Sequence, residues 1–139
     1  MAIEIRINPL DFEPDVALGI DLPMMAGTGA AFKLNYLSID QAVANAKNLL
    51  LTEKGERIMQ PEFGCGLRKH IFENIEDDLT ESIRENIIVN FDYWLPYIFI
   101  NDIQVVPNED YNRIRVTLTI SLKGNQIDTR SIQVEITMQ

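Results

Sequence analysis

"TEKGERIMQPEFGCGLRKHIFE", Thr52 to Glu73, gathers three glycines, a proline, the only cysteine and the only histidine of the chain into one segment. The sequence on either side reads as helix, so the fold turns on whether this connection is a shaped, packing turn or a loop that carries chemistry. Gly55 permits a positive φ after the first helix, Pro61 fixes the chain before a bend, and Gly64 and Gly66 let it turn sharply around Cys65. Phe63, Leu67, Ile71 and Phe72 then dock the segment, with Leu67 and Ile71 at i and i+4 of a short helix. Arg57 and Glu62 are expected to pair their charges and hold the two ends of the turn together.

Upstream, "LSIDQAVANAKNLLL" has helical period: Ile39, Ala42, Val43, Ala46, Leu49 and Leu50 share one face. Ser38 at the N-cap and Gln41 three residues on read as a capping box, with Leu37 placed to staple against Ala42. The helix is expected to end near Thr52. Downstream, "DLTESIRENIIVNFDYWLP" repeats the logic, with Asp78 as cap, Glu81 answering it, and an apolar stripe of Leu79, Ile83, Ile87, Phe91 and Leu95. Pro96 stops it, because its ring disfavours helical geometry in the residue before it.

Beyond Pro96 the period becomes two. "INDIQVV" reads as a strand, "PNED" as a turn, and "RIRVTLTISLK" as a strand with Ile114, Val116, Leu118, Ile120 and Leu122 on its core face. "KGNQ" breaks the run, and "SIQVEITM" supplies a last strand with Ile132, Val134, Ile136 and Met138 inward. At the other end Ile3, Ile5 and Ile7 alternate with Glu4, Arg6 and Asn8, a short strand closed by Pro9. From Pro9 to Tyr36 prolines and glycines recur with no useful period, which reads as an extended arm laid over the domain or over a partner. Leu18, Ile20, Leu22, Met24, Met25 and Phe32 make this arm too apolar for a purely solvated linker. The expectation is an α+β fold, with two main helices packed on a small antiparallel sheet of three to four strands. It divides into a strand and arm over residues 1–36 and the α+β domain over residues 37–139.

Composition narrows the function. At 139 residues the chain fits one domain, long enough to bury roughly two-thirds of the surface its unfolded form exposes. Twelve Lys and Arg against 21 Asp and Glu give a formal charge of -9, so the summed field repels nucleic acid and anionic lipid. The basic residues are scattered, with no cluster to override that average. One cysteine forbids an internal disulfide and, with one histidine, leaves too few soft ligands for a structural zinc site. The start alternates apolar and charged residues, unlike a signal peptide, and no apolar run reaches bilayer length. A chain kept in the cytosol is the expectation.

The central stretch admits two catalytic readings. A nucleophile would need Cys65 activated by His70 as a thiolate–imidazolium pair with a third orienting group. A half-buried thiol beside a surface imidazole explains the same residues. A glycosidase would need two carboxyl groups flanking a sugar bond, one with raised pKa. Glu62, Glu73, Asp77 and Asp78 are near in sequence, but in a chain with 21 acids that is background, and Trp94 sits in a helical core pattern. The structural reading accounts for nearly every unusual residue, and no cofactor or metal is expected.

"LLTEKGERIMQPEFGCGLRKHIFE" resembles the signature of the baseplate wedge proteins of contractile phage tails, the sheath initiators, with relatives in type VI secretion and other contractile injection systems. The resemblance runs from "GIDLP" (Gly19 to Pro23) to the C-terminus and rests on Gly55, Glu56, Arg57, Pro61, Glu62, Phe63, Gly64, Cys65, Gly66, Leu67 and Phe72. It implies a non-enzymatic subunit clamped into the baseplate wedge, whose sheet mimics a sheath subunit and templates the first sheath ring by strand augmentation. The partners implied are baseplate wedge proteins and the tail sheath protein within a six-fold hetero-oligomer, with neither nucleic acid nor membrane. Its place is the virion tail baseplate, assembled in the host cytoplasm, or the bacterial cytoplasm for an injection system. The last strand, with Ile132, Gln133, Val134, Glu135 and Ile136, is the candidate edge for sheath, because an edge offers backbone groups to an added strand. Shielding of that edge by Glu135 or by the arm is the alternative. Many relatives carry Glu-Pro-Arg after the second helix for gripping the wedge. This chain has Leu95, Pro96 and Tyr97 there, so an ionic grip does not carry over and the contact is expected to be apolar or charged from elsewhere. A muramidase and an adaptor that reuses the fold are the alternative functions.

Overall fold

The computed structural model describes residues 8–29, 31–72, 77–111 and 113–137. The alternating Ile3, Ile5 and Ile7, together with Met138, lie outside the described residues. Two helices, α1 (Ser38–Leu51) and α2 (Asp77–Trp94), cover one face of an antiparallel sheet built from β3 (Ile98–Asn108), β4 (Arg113–Leu122) and β5 (Asn125–Thr137) in that spatial order. Ahead of them two short strands, β1 (Gly19–Ile20) and β2 (Leu34–Asn35), pair antiparallel as a long-looped hairpin. The fold is α+β.

Alternation fixes the sheet register. Leu118 stands between Ile103 of β3 and Ile132 of β5, and Val116 between Val105 and Val134. A shift by one residue would turn this whole set to water. α1 lies over β4 and β5, with Ala42, Ala46, Leu49 and Leu50 buried, while α2 lies over β3 through Leu79, Ile83, Ile87, Phe91 and Leu95. These side chains and the inward row of β4 form one continuous core. Each large one contributes about 1.5–3 kcal/mol by leaving water.

The strands run further than their alternation suggested. β3 continues through Pro107, which stands opposite Ile114, so only the Glu109 and Asp110 half of "PNED" belongs to the turn, a short 3-10 segment at Glu109–Tyr111. Proline is tolerated there because β3 is an edge strand within the described sheet. A bulge interrupts β3 between Ile100 and Asp102, and the skipped Asn101 turns its Oδ1 to the buried Ser121 hydroxyl at 2.9 Å. β5 begins at Asn125, six residues before Ser131, because Gly124 at φ 104° closes a tight turn directly after β4.

Both predicted helix caps differ from expectation. Ser38 is the first helical residue, and Leu37 ahead of it makes no side-chain cap. The capping acceptor is Asp11, whose Oδ1 takes the Ser38 N–H at 2.8 Å across 27 residues. Ser38 Oγ accepts from Asn8 Nδ2 at 2.9 Å, while the Gln41 amide bridges Asn35 and Asn45. A capping box cannot form when both side chains are engaged elsewhere. α2 starts at Asp77, which puts Asp78 inside the helix, exposed, and leaves the cap position outside the described residues.

Residues read as an aperiodic arm thus hold defined structure. A 3-10 turn at Pro9–Phe12 is capped by Asn8, and the β1–β2 hairpin is tied by the Asp21–Lys33 ion pair at 2.8 Å. That lysine holds the Asp21 carboxyl below its ordinary value. Lys47 of α1 donates to the Leu22 carbonyl at 2.9 Å, fastening the hairpin to the helix.

Candidate functional site

The motif segment is a closed turn held by backbone bonds at several points along its length. α1 ends where Thr52 turns its N–H and hydroxyl back to the Asn48 carbonyl, at 3.1 and 2.5 Å. Gly55 N–H donates to the Pro61 carbonyl at 2.8 Å, which closes the loop at its base. Within it Gln60 N–H bonds Arg57 O and Phe63 N–H bonds Gln60 O. Gly55, Gly64 and Gly66 all take positive φ, at 93, 117 and 61°. At Gly64 a Cβ would stand 2.3 Å from the Thr52 carbonyl oxygen, so this residue is glycine for space as well as for φ.

Two acids do backbone work here. Glu56, within the motif, accepts the Glu53 N–H at 2.9 Å, and Glu53 accepts the Arg68 N–H at 3.1 Å at the start of the 3-10 helix Leu67–Phe72. Glu53 escaped the sequence reading, since an acid that caps a helix across 15 residues leaves no local pattern. Asn86 escaped it too. Its Nδ2 donates to the Cys65 carbonyl at 2.6 Å and approaches His70 Nε2 at 3.4 Å, tying the turn to α2. The Cys65 N–H bonds the Leu49 carbonyl at 3.2 Å, which ties the same residue to α1.

Phe63 and Leu67 are buried, and Phe63 meets Trp94 edge-on at 5.2 Å between ring centroids. The Arg57 guanidinium lies 4.0 Å above the Phe63 ring. Among the described residues it forms no ion pair with Glu62, which stands exposed at the rim. A flat cation over a docked aromatic face fastens the turn where a pair of solvated charges would add little. Phe72 closes the 3-10 helix, and its side chain lies outside the described residues.

Cys65 is fully buried rather than half-buried, and burial pushes its thiol up to about 12. A thiol protonated throughout the neutral range and sealed from solvent is no nucleophile. Of the four acids considered for sugar chemistry, Glu62 and Asp78 are exposed. Glu73 and the Asp77 side chain lie outside the described residues.

The three residues after α2 separate. Leu95 is only 7% exposed and belongs to the core, so it offers no surface to a partner. Pro96 is exposed, and Tyr97 is 42% exposed with its hydroxyl accepting from Asn45 Nδ2 at 2.7 Å. Leu95 had to be buried because it ends the α2 stripe one turn after Phe91. On β5, Ile132, Val134 and Ile136 are likewise buried, while Gln133 and Glu135 face outward, the latter paired with Arg115 of β4. Any strand added to β5 meets its backbone and this outward row. Among the described residues β5 pairs with β4 alone.

The two-helix layer on a three-stranded meander is a fold this chain shares with a chain of a prophage baseplate. The chain is similar to one in the six-fold symmetrised cryo-EM structure of the anti-feeding prophage baseplate, with 27% identity, a TM-score of 0.64, and coverage of 78% of this chain and 86% of that one. It shares its fold with a Geobacter sulfurreducens protein provisionally named a tail lysozyme (21% identity, TM-score 0.62, 73% and 93% covered). It shares it also with a chain of the type VI secretion baseplate (14%, 0.54, 73% and 93%). The chain belongs to the family of baseplate wedge protein gp25, whose model matches residues 38–127. The Enterobacteria phage T4 protein of that name is 28% identical over 88 residues, which are 63% of this chain and 67% of that protein.

Proposed function

We propose that this chain is a non-enzymatic baseplate subunit of a contractile tail or related injection machine that docks on the wedge and accepts a strand of the sheath along β5, templating the first sheath ring. The observation that carries the reading is the family match together with the asymmetry of the sheet. β3 is bulged and contains a proline; β5 has its own register shift between Asn125 and Thr129 but runs regularly from Ser131 to Thr137 beside β4. Strand addition needs a regular row of backbone donors and acceptors, and β5 is the edge that supplies it. Exposed Pro96 and Tyr97, held by Asn45, form the wedge contact in place of an ionic grip. The implied setting is a six-fold baseplate at the tail end, with wedge and sheath proteins as partners.

The test is negative-stain microscopy of tails assembled without the protein and rescued with wild type or with Gln133→Asp/Thr137→Asp. Both substituted positions are exposed, so the fold is retained. Baseplates or tubes that lack sheath, rescued by wild type and not by the double variant, support templating at β5. Fully sheathed tails that fail only at the cell wall reject it in favour of a muramidase.

A further inference from the structure

The open side of β5 ends in a hollow. On α1, Asn45 reaches Tyr97 at the head of β3, so Asp40 and Val43, set on the other flank by helical spacing, overhang the free side of β5. There Arg130 and Ser131 of β5, Asp40 and Val43 of α1, and the arm from Lys33 to Leu37 surround an open space of about 470 Å³. The charged groups of its wall already answer one another. Lys33 pairs with Asp21 at 2.8 Å and Arg130 with Asp40 at 3.6 Å. Buried Asn35 is also engaged, its Nδ2 donating to Gln41 Oε1 at 3.1 Å. Two cations against two acids leave no net charge to attract an ionised side chain. What the wall still offers is apolar: Leu34, Tyr36, Leu37 and Val43, of which Tyr36 and Leu37 are 42% and 41% exposed.

This hollow stands at one end of an edge whose own pattern does not fix register. Ile132, Val134 and Ile136 repeat one apolar character along the inward row. A strand slipped by two residues therefore keeps its faces and loses little. At Arg130 the row changes, because this residue has the same parity but turns its guanidinium to the head of α1. A side chain of an added strand that points toward the helix layer beside Arg130 enters the hollow. In strand addition, backbone bonds supply affinity and pockets for alternate side chains supply selectivity.

We propose that this hollow seats one large uncharged side chain, aromatic or long aliphatic, at one end of the strand added to β5, and so fixes that strand's register. The inference rests on the reading of β5 as a strand acceptor.

The test uses dye-labelled, uncharged peptides of about nine residues, an ordinary strand length. All alternate valine with threonine. One has no tryptophan, and the others carry a single tryptophan in place of the first, the central or the last valine. Fluorescence anisotropy reads affinity, and slowed hydrogen exchange along Ser131–Thr137 reports whether the tryptophan-free peptide lies on the edge. One end-tryptophan peptide is expected to bind at least about 10-fold more tightly than the tryptophan-free one. The central tryptophan should give no such gain, because seating it pushes half the strand past the regular edge. Tyr36→Ser/Leu37→Ser, with an unchanged melting temperature, should abolish the gain and leave the tryptophan-free peptide unaffected. If the tryptophan-free peptide protects the edge but tryptophan adds nothing, adds equally at every position, or keeps its gain in the double variant, the hollow is overturned and strand addition stands. If no peptide binds saturably or protects the edge, strand addition at β5 falls and the hollow's role falls with it.

Discussion

Gly64 and Gly66 flank Cys65 in one motif, yet the structure assigns them different penalties for a side chain. In Gly64→Ala the new Cβ would fall 2.3 Å from the Thr52 carbonyl oxygen and 2.9 Å from its carbon, both backbone atoms, at φ 117°. An L residue held in so sparsely populated a region costs about 1–3 kcal/mol. Relieving the clash must pull Cys65 from its bonds to Leu49 and Asn86, each contributing about 1 kcal/mol. The sum is roughly 3–5 kcal/mol, a large part of the ~5–15 kcal/mol that typically holds a domain together. At about 3–4 °C per kcal/mol for a chain of this length, the melting temperature should fall by roughly 9–20 °C. In Gly66→Ala the Cβ meets nothing nearer than 3.7 Å at φ 61°. Its strain of ~1–2 kcal/mol is partly offset by the stiffer unfolded chain, leaving about 1 kcal/mol and roughly 3 °C. Urea and thermal unfolding of both variants measure the difference. Equal losses, or a Gly64→Ala penalty below about 1 kcal/mol, would refute the claim that close backbone approach fixes residue 64.

Asp11→Ala removes the acceptor at the head of α1 and should destabilise by about 1 kcal/mol, or 3–4 °C; an unchanged melting curve would show that the arm contributes nothing to the helix. Native Cys65 should resist Ellman's reagent until the chain unfolds, so labelling at a rate well above that of unfolding would contradict its burial. Because the folded thiol keeps its proton to about pH 12, while an unfolded one titrates near ~8.5, stability is full below that lower value. The thiol's contribution should then fall by up to about 1.4 kcal/mol per pH unit toward pH 12, a part of the alkaline slope that Cys65→Ala removes. Leu95→Ala should cost about 2–5 kcal/mol as a core truncation, whereas Tyr97→Ala should cost less than about 1.5 kcal/mol. A reversed order in chemical denaturation would mean that the residues after α2 are placed wrongly.

Strong periodicity translated directly into structure. The unbroken alternation of β4 set its pairing with both neighbours, and the α2 stripe from Leu79 to Leu95 is buried along its whole length. What stayed illegible depends on partners distant in sequence. Asp11 caps α1 from 27 residues away, and nothing local distinguishes it from any other surface acid. Ser38 and Gln41 had the spacing of a capping box but lost to competing amides from Asn8 and Asn35. The early part of β5 was not legible because exposed Gln126 and Ile127 show no alternation, and they lie where the register shifts between the Leu122–Asn125 and Ser121–Thr129 pairs. The motif turn was legible in its glycines and aromatics. Its wrongly expected element, the Arg57–Glu62 pair, failed because the docked ring of Phe63 gave the guanidinium a better seat.

The unlike edges of the sheet also govern what the protein does at high concentration, before any partner is present. A sheet with two accepting edges can add copy to copy without limit, the geometry of a growing fibril. Here Pro107 withholds an N–H and the bulge at Asn101 breaks the row on β3. Copies that paired through β5 would present only β3 edges outward, which are poor acceptors of a further strand.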